Sequence, residues 1–524
     1  MDFSQPYSTA RTPIMADNMV ATSVPLATQA GVAALHDGGN AVDAALAAAI
    51  ALTVVEPNSN GIGSDAFAQV WDGIQLTGLN ASGRAPRDWT LARFQERYPS
   101  RHRPPRLGWD SVTVPGAVSA WVALSERFGK LPFARLFDAA ISYAENGFSV
   151  TPRVATAWQL AAHTYRDYPD FAEHFLPAPQ VGERITRPDQ ATTLKAIAQS
   201  NGEAFYRGNI AAQIAAAAAN AGGALSAADL ANHSATWVTP IAVNYRDITL
   251  HEIPPNGQGL SALIALGILN HRAIGNIDSE VTVHLQLEAI KIANRAATEH
   301  IGDPDSMRAS TASLLDEATL ARLAAGITEQ AAALPPVPVL ENPGTVYLCA
   351  ADAQGMMVSF IQSNYLGFGS GIVVPGTGIA LQNRGYGFNL TPGHPNCVGP
   401  GKRPFHTIIP GFVTRSGQPL LAFGVMGGHM QHQGHVQMVQ RLFDAGQNPQ
   451  AASDAPRWIV NPDYSVSVEP AFPKTVIAGL RKRGHQIDIE PDVEVFGGAQ
   501  LIYRTEHGYV AGSDHRKDGQ ATGF

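Results

Sequence analysis

Thr345 begins an extended apolar stretch, directly after Asn342-Pro343-Gly344. Two readings of this residue are open. In one it is a β-branched strand residue that follows a turn. In the other the Gly344–Thr345 bond breaks, and the new N-terminal threonine carries a hydroxyl and an α-amine on one residue. A free α-amine has a pKa of about 7.7–8.0, so a useful fraction is neutral near pH 7. It can take the hydroxyl proton directly or through one water, which makes a nucleophile without a separate histidine base. Gly344 suits such a break, because glycine tolerates the strained backbone that attack on its carbonyl requires.

Other reactive types are scattered. His429, His432 and His435 recur at steps of three. That spacing can bring histidines to one helix face for a metal, but no carboxylate accompanies them in the sequence. Gly61-Ile62-Gly63 and Gly369-Ser370-Gly371 do not complete a phosphate-binding GxGxxG between a strand and a helix. Cys349 falls inside an apolar strand and reads as core. With Cys397 it makes only two cysteines, which excludes a disulfide framework and a zinc-type Cys/His spacing.

The elements that must hold Thr345 follow from local pattern. Thr345 to Ala351 and Met356 to Ser363 read as strands, and Asp352-Ala353-Gln354-Gly355 between them has turn chemistry. In such a hairpin, antiparallel partners have numbers summing to roughly 707 or 708. Thr345 then faces Gln362 or Ser363, and a slip of one residue would turn Ser363 to the other face. Asn40 can cap a helix over 41–55 that stops before Pro57, and Phe67 to Trp71 reads as a strand. Helices are expected in 117–150 with a break at Gly129, over 209–221, and over 279–301. The last is placed by Val281, Leu285, Ala289, Ile292 and Ala296. Residues 305–340 end in Leu334-Pro335-Pro336-Val337-Pro338, a stiff extended linker. Strands with flanking helices give an α+β or α/β class.

Several motifs then stand in a fixed order. They are Gly38-Gly39-Asn40-Ala41-Val42-Asp43-Ala44-Ala45, Val55-Glu56-Pro57, Gly61-Ile62-Gly63, Val114-Pro115-Gly116 and Ala204-Phe205-Tyr206-Arg207-Gly208. Gly302-Asp303-Pro304, Gly344-Thr345, Phe368-Gly369-Ser370-Gly371, Pro375-Gly376-Thr377-Gly378-Ile379, Pro400-Gly401-Lys402-Arg403-Pro404 and Gly427-Gly428 follow. In this order the chain resembles the γ-glutamyltransferase family over nearly its whole length. The resemblance implies an α+β fold, the four-layer αββα sandwich of the N-terminal-nucleophile hydrolases. It implies self-cleavage into segments 1–344 and 345–524 that stay associated, with a homodimer of that heterodimer as a further possibility. Thr345 matches the nucleophile and Ser363 the hydroxyl that positions it. Gly427 and Gly428 match the backbone amides of an oxyanion hole, and the three histidines would follow them at a helix start. The implied chemistry is transfer or hydrolysis of an amide-linked γ-glutamyl group, with water or an amine as acceptor and no cofactor.

The residues that would read the acyl group depart from the family. Its recognition arginine is represented by Arg84 in Ser82-Gly83-Arg84-Ala85-Pro86, shifted by two. The paired serines become His406 and Thr407, and an asparagine becomes Tyr365. The carboxylate that holds the substrate ammonium becomes Gly387, and its polar neighbour becomes Arg384. Arg84 and Arg384 would suit a dicarboxylic acyl group, of glutaryl or oxamate type. In the alternative, Arg384 folds outward and Asp65 or another acid supplies a negative charge. An uncleaved relative that only binds small molecules is a reading from another class. The segment between Phe388 and Pro400 is shorter than the lid of well-studied bacterial members, which implies a more open site.

Composition bounds the rest. A 524-residue chain that is 45% hydrophobic can bury a large core. Formal net charge is -8 and no basic stripe occurs, so nucleic acid is not an expected partner. The longest apolar run, Ala44 to Val55, is too short for a bilayer. The first residues lack a basic head followed by an apolar stretch, so a soluble cytoplasmic enzyme is expected.

Overall fold

In the computed structural model, residues 11–333 and 344–524 are described. The proline-rich end of the expected linker and the Asn342-Pro343 step lie outside these residues.

The expected hairpin forms, with strands Gly344–Ala351 and Met357–Tyr365. Asp352 accepts the backbone N–H of Gln354 and Met356 on Oδ1, and Gly355 adopts φ 93, a conformation natural to glycine. Met356 is thereby drawn into the turn, and the second strand starts one residue later than expected. Paired numbers sum to 708, as in Val346 with Gln362 and Tyr347 with Ile361. Both faces of the first strand are apolar. Tyr347, Cys349 and Ala351 enter one core, while Val346, Leu348 and Ala350 enter another. The strand is therefore sandwiched, as a near-continuous apolar run requires.

Two seven-stranded sheets, each with antiparallel ladders, carry those faces. One runs in the order 520–523, 19–22, 344–351, 357–365, 65–71, 76–81, 236–238. The other runs 14–16, 508–513, 499–505, 418–425, 411–415, 248–252, 241–245. Met19, Phe67, Tyr347, Ile361, Phe412 and Ile502 fill the space between the sheets. Helices Ala41–Val55 and Ala117–Phe128 cover the outer face of the hairpin sheet. Helices Gly259–Asn270, Glu280–His300 and Gln431–Phe443 cover the other. This is the αββα sandwich. Strands from before and after Gly344 stand side by side in both sheets, and both segments contribute to the cores on either side.

Helix Ala41–Val55 is buried along its whole length. That burial explains why its sequence is apolar on every side. Asn40 and Asp43 form a reciprocal capping box at its start. The Ala41 N–H bonds Asp352 Oδ2 at 2.9 Å, so one carboxylate fixes both the helix start and the hairpin turn.

The helices expected in 117–150 form with their break at Gly129, as Ala117–Phe128 and, after a 3-10 turn at Phe133–Phe137, Asp138–Asn146, with a short strand Phe148–Ser149 at the end. One expectation is corrected. In helix Glu280–His300 the buried face is rotated from the apolar stripe read in the sequence. Val281 is 49% exposed, while His284, Gln286, Glu288 and Lys291 are buried. Polar pairs there bond one another, so burial does not follow hydrophobicity. Among the described residues, no helix is long and apolar enough to cross a membrane.

Candidate active site

The hairpin ladder breaks register between Gly344 and Val346, and Gly344 pairs with Tyr365. This bulge re-aims the start of the strand. Thr345 Oγ1 donates to Ser363 Oγ at 3.2 Å, and Ser363 Oγ donates to the Gly344 carbonyl oxygen at 2.8 Å. Ser363 Oγ also accepts the Tyr365 N–H at 2.8 Å and faces Arg384 Nη2 at 3.4 Å. One buried hydroxyl thus touches the candidate nucleophile and the carbonyl of the bond to be broken.

Tyr365 has φ 78, a left-handed conformation that is strained for a bulky residue. The turn aims its N–H at Ser363 and lays its ring under Arg384, whose guanidinium carbon lies 4.2 Å from the ring centroid. Arg384 is fully buried and points inward, which corrects the expectation that it could fold outward. Its Nη1 donates to Thr407 Oγ1 at 3.0 Å. Its Nε lies 3.9 Å from Asp65 Oδ2.

Asp65 Oδ1 accepts the N–H groups of Gly83 and Gly116, and Oδ2 lies 3.3 Å from His406 Nε2. Burial pushes the Asp65 carboxyl up to about 6, against the pull of Arg384 and the two N–H groups. Burial also lowers the Arg384 guanidinium to about 10, which leaves it charged at neutral pH. Burial and the charges of Arg384 and Arg403 hold His406 well below its ordinary range. His406 is therefore neutral and backs Asp65 as a hydrogen-bond donor.

Gly427 has φ 124 and Gly428 φ 61, so the peptide doubles back where no side chain fits easily. A cavity of about 450 Å³ opens here, lined by Gly427, His429, Gly387, Phe405, Arg103 and Asn294. Asn389, Thr391 and Asn396 of the short segment after Phe388 line it too.

The three histidines lie at the helix start, as expected, and they diverge. His429 stacks on Phe405, and His432 meets Gln258 and Asn294. His435 Nδ1 lies 2.6 Å from Glu252, so a carboxylate does accompany it, brought by another strand. Among the described residues, His284, Glu288 and His485 cluster at metal-ligand separations. Their atoms are already engaged. His284 bonds His485 at 2.8 Å, and Lys291 bonds Glu288 at 2.7 Å.

Arg84 does not join the cluster. It is exposed, donates to the Gly401 carbonyl at 3.0 Å and lies 3.7 Å from Asp303. With Arg87 and His233 it lines a separate surface depression. The reason is the backbone beside it. A Cβ on Gly83 would meet the Val114 oxygen at 1.5 Å, and that close approach fixes the loop with Arg84 outward. Gln258 was missed from the sequence. Its only signal was the turn-rich run Pro254-Pro255-Asn256-Gly257-Gln258-Gly259.

A sequence profile described as gamma-glutamyltranspeptidase matches residues 27–524. The chain belongs to the γ-glutamyltranspeptidase family. It is therefore an enzyme of the N-terminal-nucleophile hydrolase fold. Relatives include an oxamate amidohydrolase proenzyme of Klebsiella pneumoniae subsp. pneumoniae, 36% identical over 519 residues, 95% of this chain and 97% of that one. A glutathione hydrolase-like YwrD proenzyme of Bacillus subtilis is 34% identical over 523 residues, 97% of this chain and 98% of that one. The crystal structure of a cephalosporin acylase from Bacillus halodurans superposes with a TM-score of 0.96 at 47% identity, covering 100% of this chain and 99% of that one.

Proposed function

We propose that this γ-glutamyltranspeptidase-family enzyme matures by cleavage before Thr345 and then hydrolyses or transfers the acyl group of a dicarboxylic monoamide. The carrying observation is the Arg384 guanidinium, 3.4 Å from Ser363 and so two hydrogen-bond lengths from the nucleophile. A carboxylate on a short acyl chain would meet a charged fork there. The names of the oxamate amidohydrolase and cephalosporin acylase relatives agree with this class.

In maturation, Thr345 Oγ attacks the Gly344 carbonyl carbon. Its proton passes to Ser363 Oγ as the Ser363 proton moves to the Gly344 oxygen, so no free charge develops. The C–N bond then breaks, the nitrogen takes up that proton as the Thr345 amine, and water hydrolyses the ester. The relatives named as proenzymes support this step. The two segments stay together because their strands interleave.

In turnover, the Thr345 amine takes the Oγ proton as the oxygen attacks the substrate carbonyl. The Gly427 and Gly428 N–H groups stabilise the oxyanion. The amide C–N bond breaks, and the proton leaves on the amine product. Water or an acceptor amine then releases the acyl group and restores the hydroxyl.

A γ-glutamyl donor is the second reading, favoured by the buried Asp65 carboxylate beside Arg384, which offers an ammonium a negative partner. Turnover of oxamate, a glutaryl anilide and a γ-glutamyl anilide separates the two. Preference for the γ-glutamyl compound would defeat the dicarboxylic reading. Thr345→Ala should abolish cleavage and turnover, and retained turnover would remove Thr345 from the mechanism.

A further inference from the structure

Gln258 sits just before helix Gly259–Asn270 and is 1% exposed. Its side-chain nitrogen donates to two backbone carbonyls, Thr407 at 2.5 Å and Gly428 at 2.7 Å. The first belongs to the residue that holds Arg384 through its hydroxyl. The second belongs to the two-glycine turn. Gln258 comes from the segment before Gly344, and both carbonyls come from the segment after it. A turn of two glycines has little intrinsic rigidity. The Gly427 carbonyl is held from within the turn by the Met430 N–H at 3.1 Å. The Gly428 carbonyl accepts the Gln431 N–H from within the turn and the Gln258 amide from outside, across from the other segment.

The Gln258 amide is itself oriented. With both hydrogens of its nitrogen spent on carbonyls, its oxygen can only accept. His432 Nδ1, 3.1 Å away, must therefore carry a hydrogen. Burial pulls His432 down to about 3, so the ring is neutral and its Nε2 is an acceptor. Asn294 Oδ1 stands 2.6 Å from that Nε2, and a neutral ring with its hydrogen on Nδ1 requires the Asn294 amide turned over so that its N–H faces the ring.

We infer that Gln258 is a positioning residue that locks the two-glycine turn against the Thr407 segment that holds Arg384, with His432 and Asn294 setting its amide. The inference rests on the proposed role of Gly427 and Gly428 in holding the oxyanion. A lock on oxyanion geometry acts in the transition state and not on substrate binding, so its loss lowers kcat and leaves KM nearly fixed.

The test uses full-length, self-cleaved enzyme and a glutaryl anilide. Gln258→Glu keeps the shape but sets a carboxylate against two carbonyl oxygens. We expect kcat to fall roughly 30- to 100-fold, below the full loss of an oxyanion donor, with KM within about threefold. His432→Asn retains a donor where Nδ1 stands and should keep most of the activity. His432→Leu lacks it and should lose roughly tenfold in kcat. This second pair decides the matter if Gln258→Glu fails to fold. Unchanged kcat in His432→Leu, an equal loss in His432→Asn, or a rise in KM at constant kcat overturns the inference. If instead Thr345→Ala still turns over, the reading of the whole site fails, which is a different result.

Discussion

Ser363 Oγ lies 2.8 Å from the carbonyl oxygen of Gly344, the residue before the candidate nucleophile. The same oxygen receives the Thr345 hydroxyl at 3.2 Å, so attack and polarisation of the bond are served by one side chain.

Ser363→Ala should therefore slow maturation more than it disturbs the fold. The Gly344 oxygen loses its donor and the Tyr365 N–H loses its acceptor. Loss of a positioned group that relays the proton costs on the order of 100-fold in rate. The appearance of the 345–524 fragment, followed on a denaturing gel, reads this directly. Cleavage at the parental rate would show that Ser363 is only a packing partner.

Arg384→Gln should discriminate among acyl donors. A hydrogen bond to a charged group contributes about 1.5–3 kcal/mol, so kcat/KM for dicarboxylic monoamides should drop roughly 10- to 150-fold. Uncharged acyl anilides should lose far less. Equal losses on both would assign Arg384 to the scaffold. The variant should also melt at lower temperature, because Asp65 loses the positive charge at 3.9 Å.

Asp65 should leave a signature in stability against pH. Its folded value of about 6 lies above the ordinary 3.8, so the folded protein binds the extra proton in that window. The stability it contributes is complete below about 3.8 and is lost as pH rises through about 6, a change of roughly 3 kcal/mol. The buried histidines 429, 432 and 435, each pulled down to about 3 by burial, act in the opposite sense at acid pH. The comparison is thus with Asp65→Asn, whose Oδ1 can keep both glycine N–H bonds. Melting curves from pH 4 to 7 should converge toward a constant offset only outside this window. Parallel curves across it would place the titration elsewhere.

Tyr365→Gly should relieve a φ of 78 and remove the ring beneath Arg384. Left-handed strain is of order 1–3 kcal/mol, which offsets part of the lost packing. With the ring gone, Arg384 can recede, and the ratio of glutaryl to oxamate turnover should rise. An unchanged ratio would mean that Tyr365 does not limit acyl length.

Much of this protein is legible from residue order alone. The hairpin, its register near 708 and the juxtaposition of Thr345 with Ser363 follow from period-two patterning and one turn, because partners 18 residues apart are set by local geometry. The capped helix Ala41–Val55 follows for the same reason. The tertiary structure decided what residue types could not. Arg84 and Arg384 are equally charged in the sequence, yet one is exposed beside Gly401 and the other is buried beside Asp65. Gln258 meets Gly428 across 170 residues. Such contacts depend on which strand ends the sandwich brings together, and on the need to partner every buried polar atom, and neither condition is written in a local pattern.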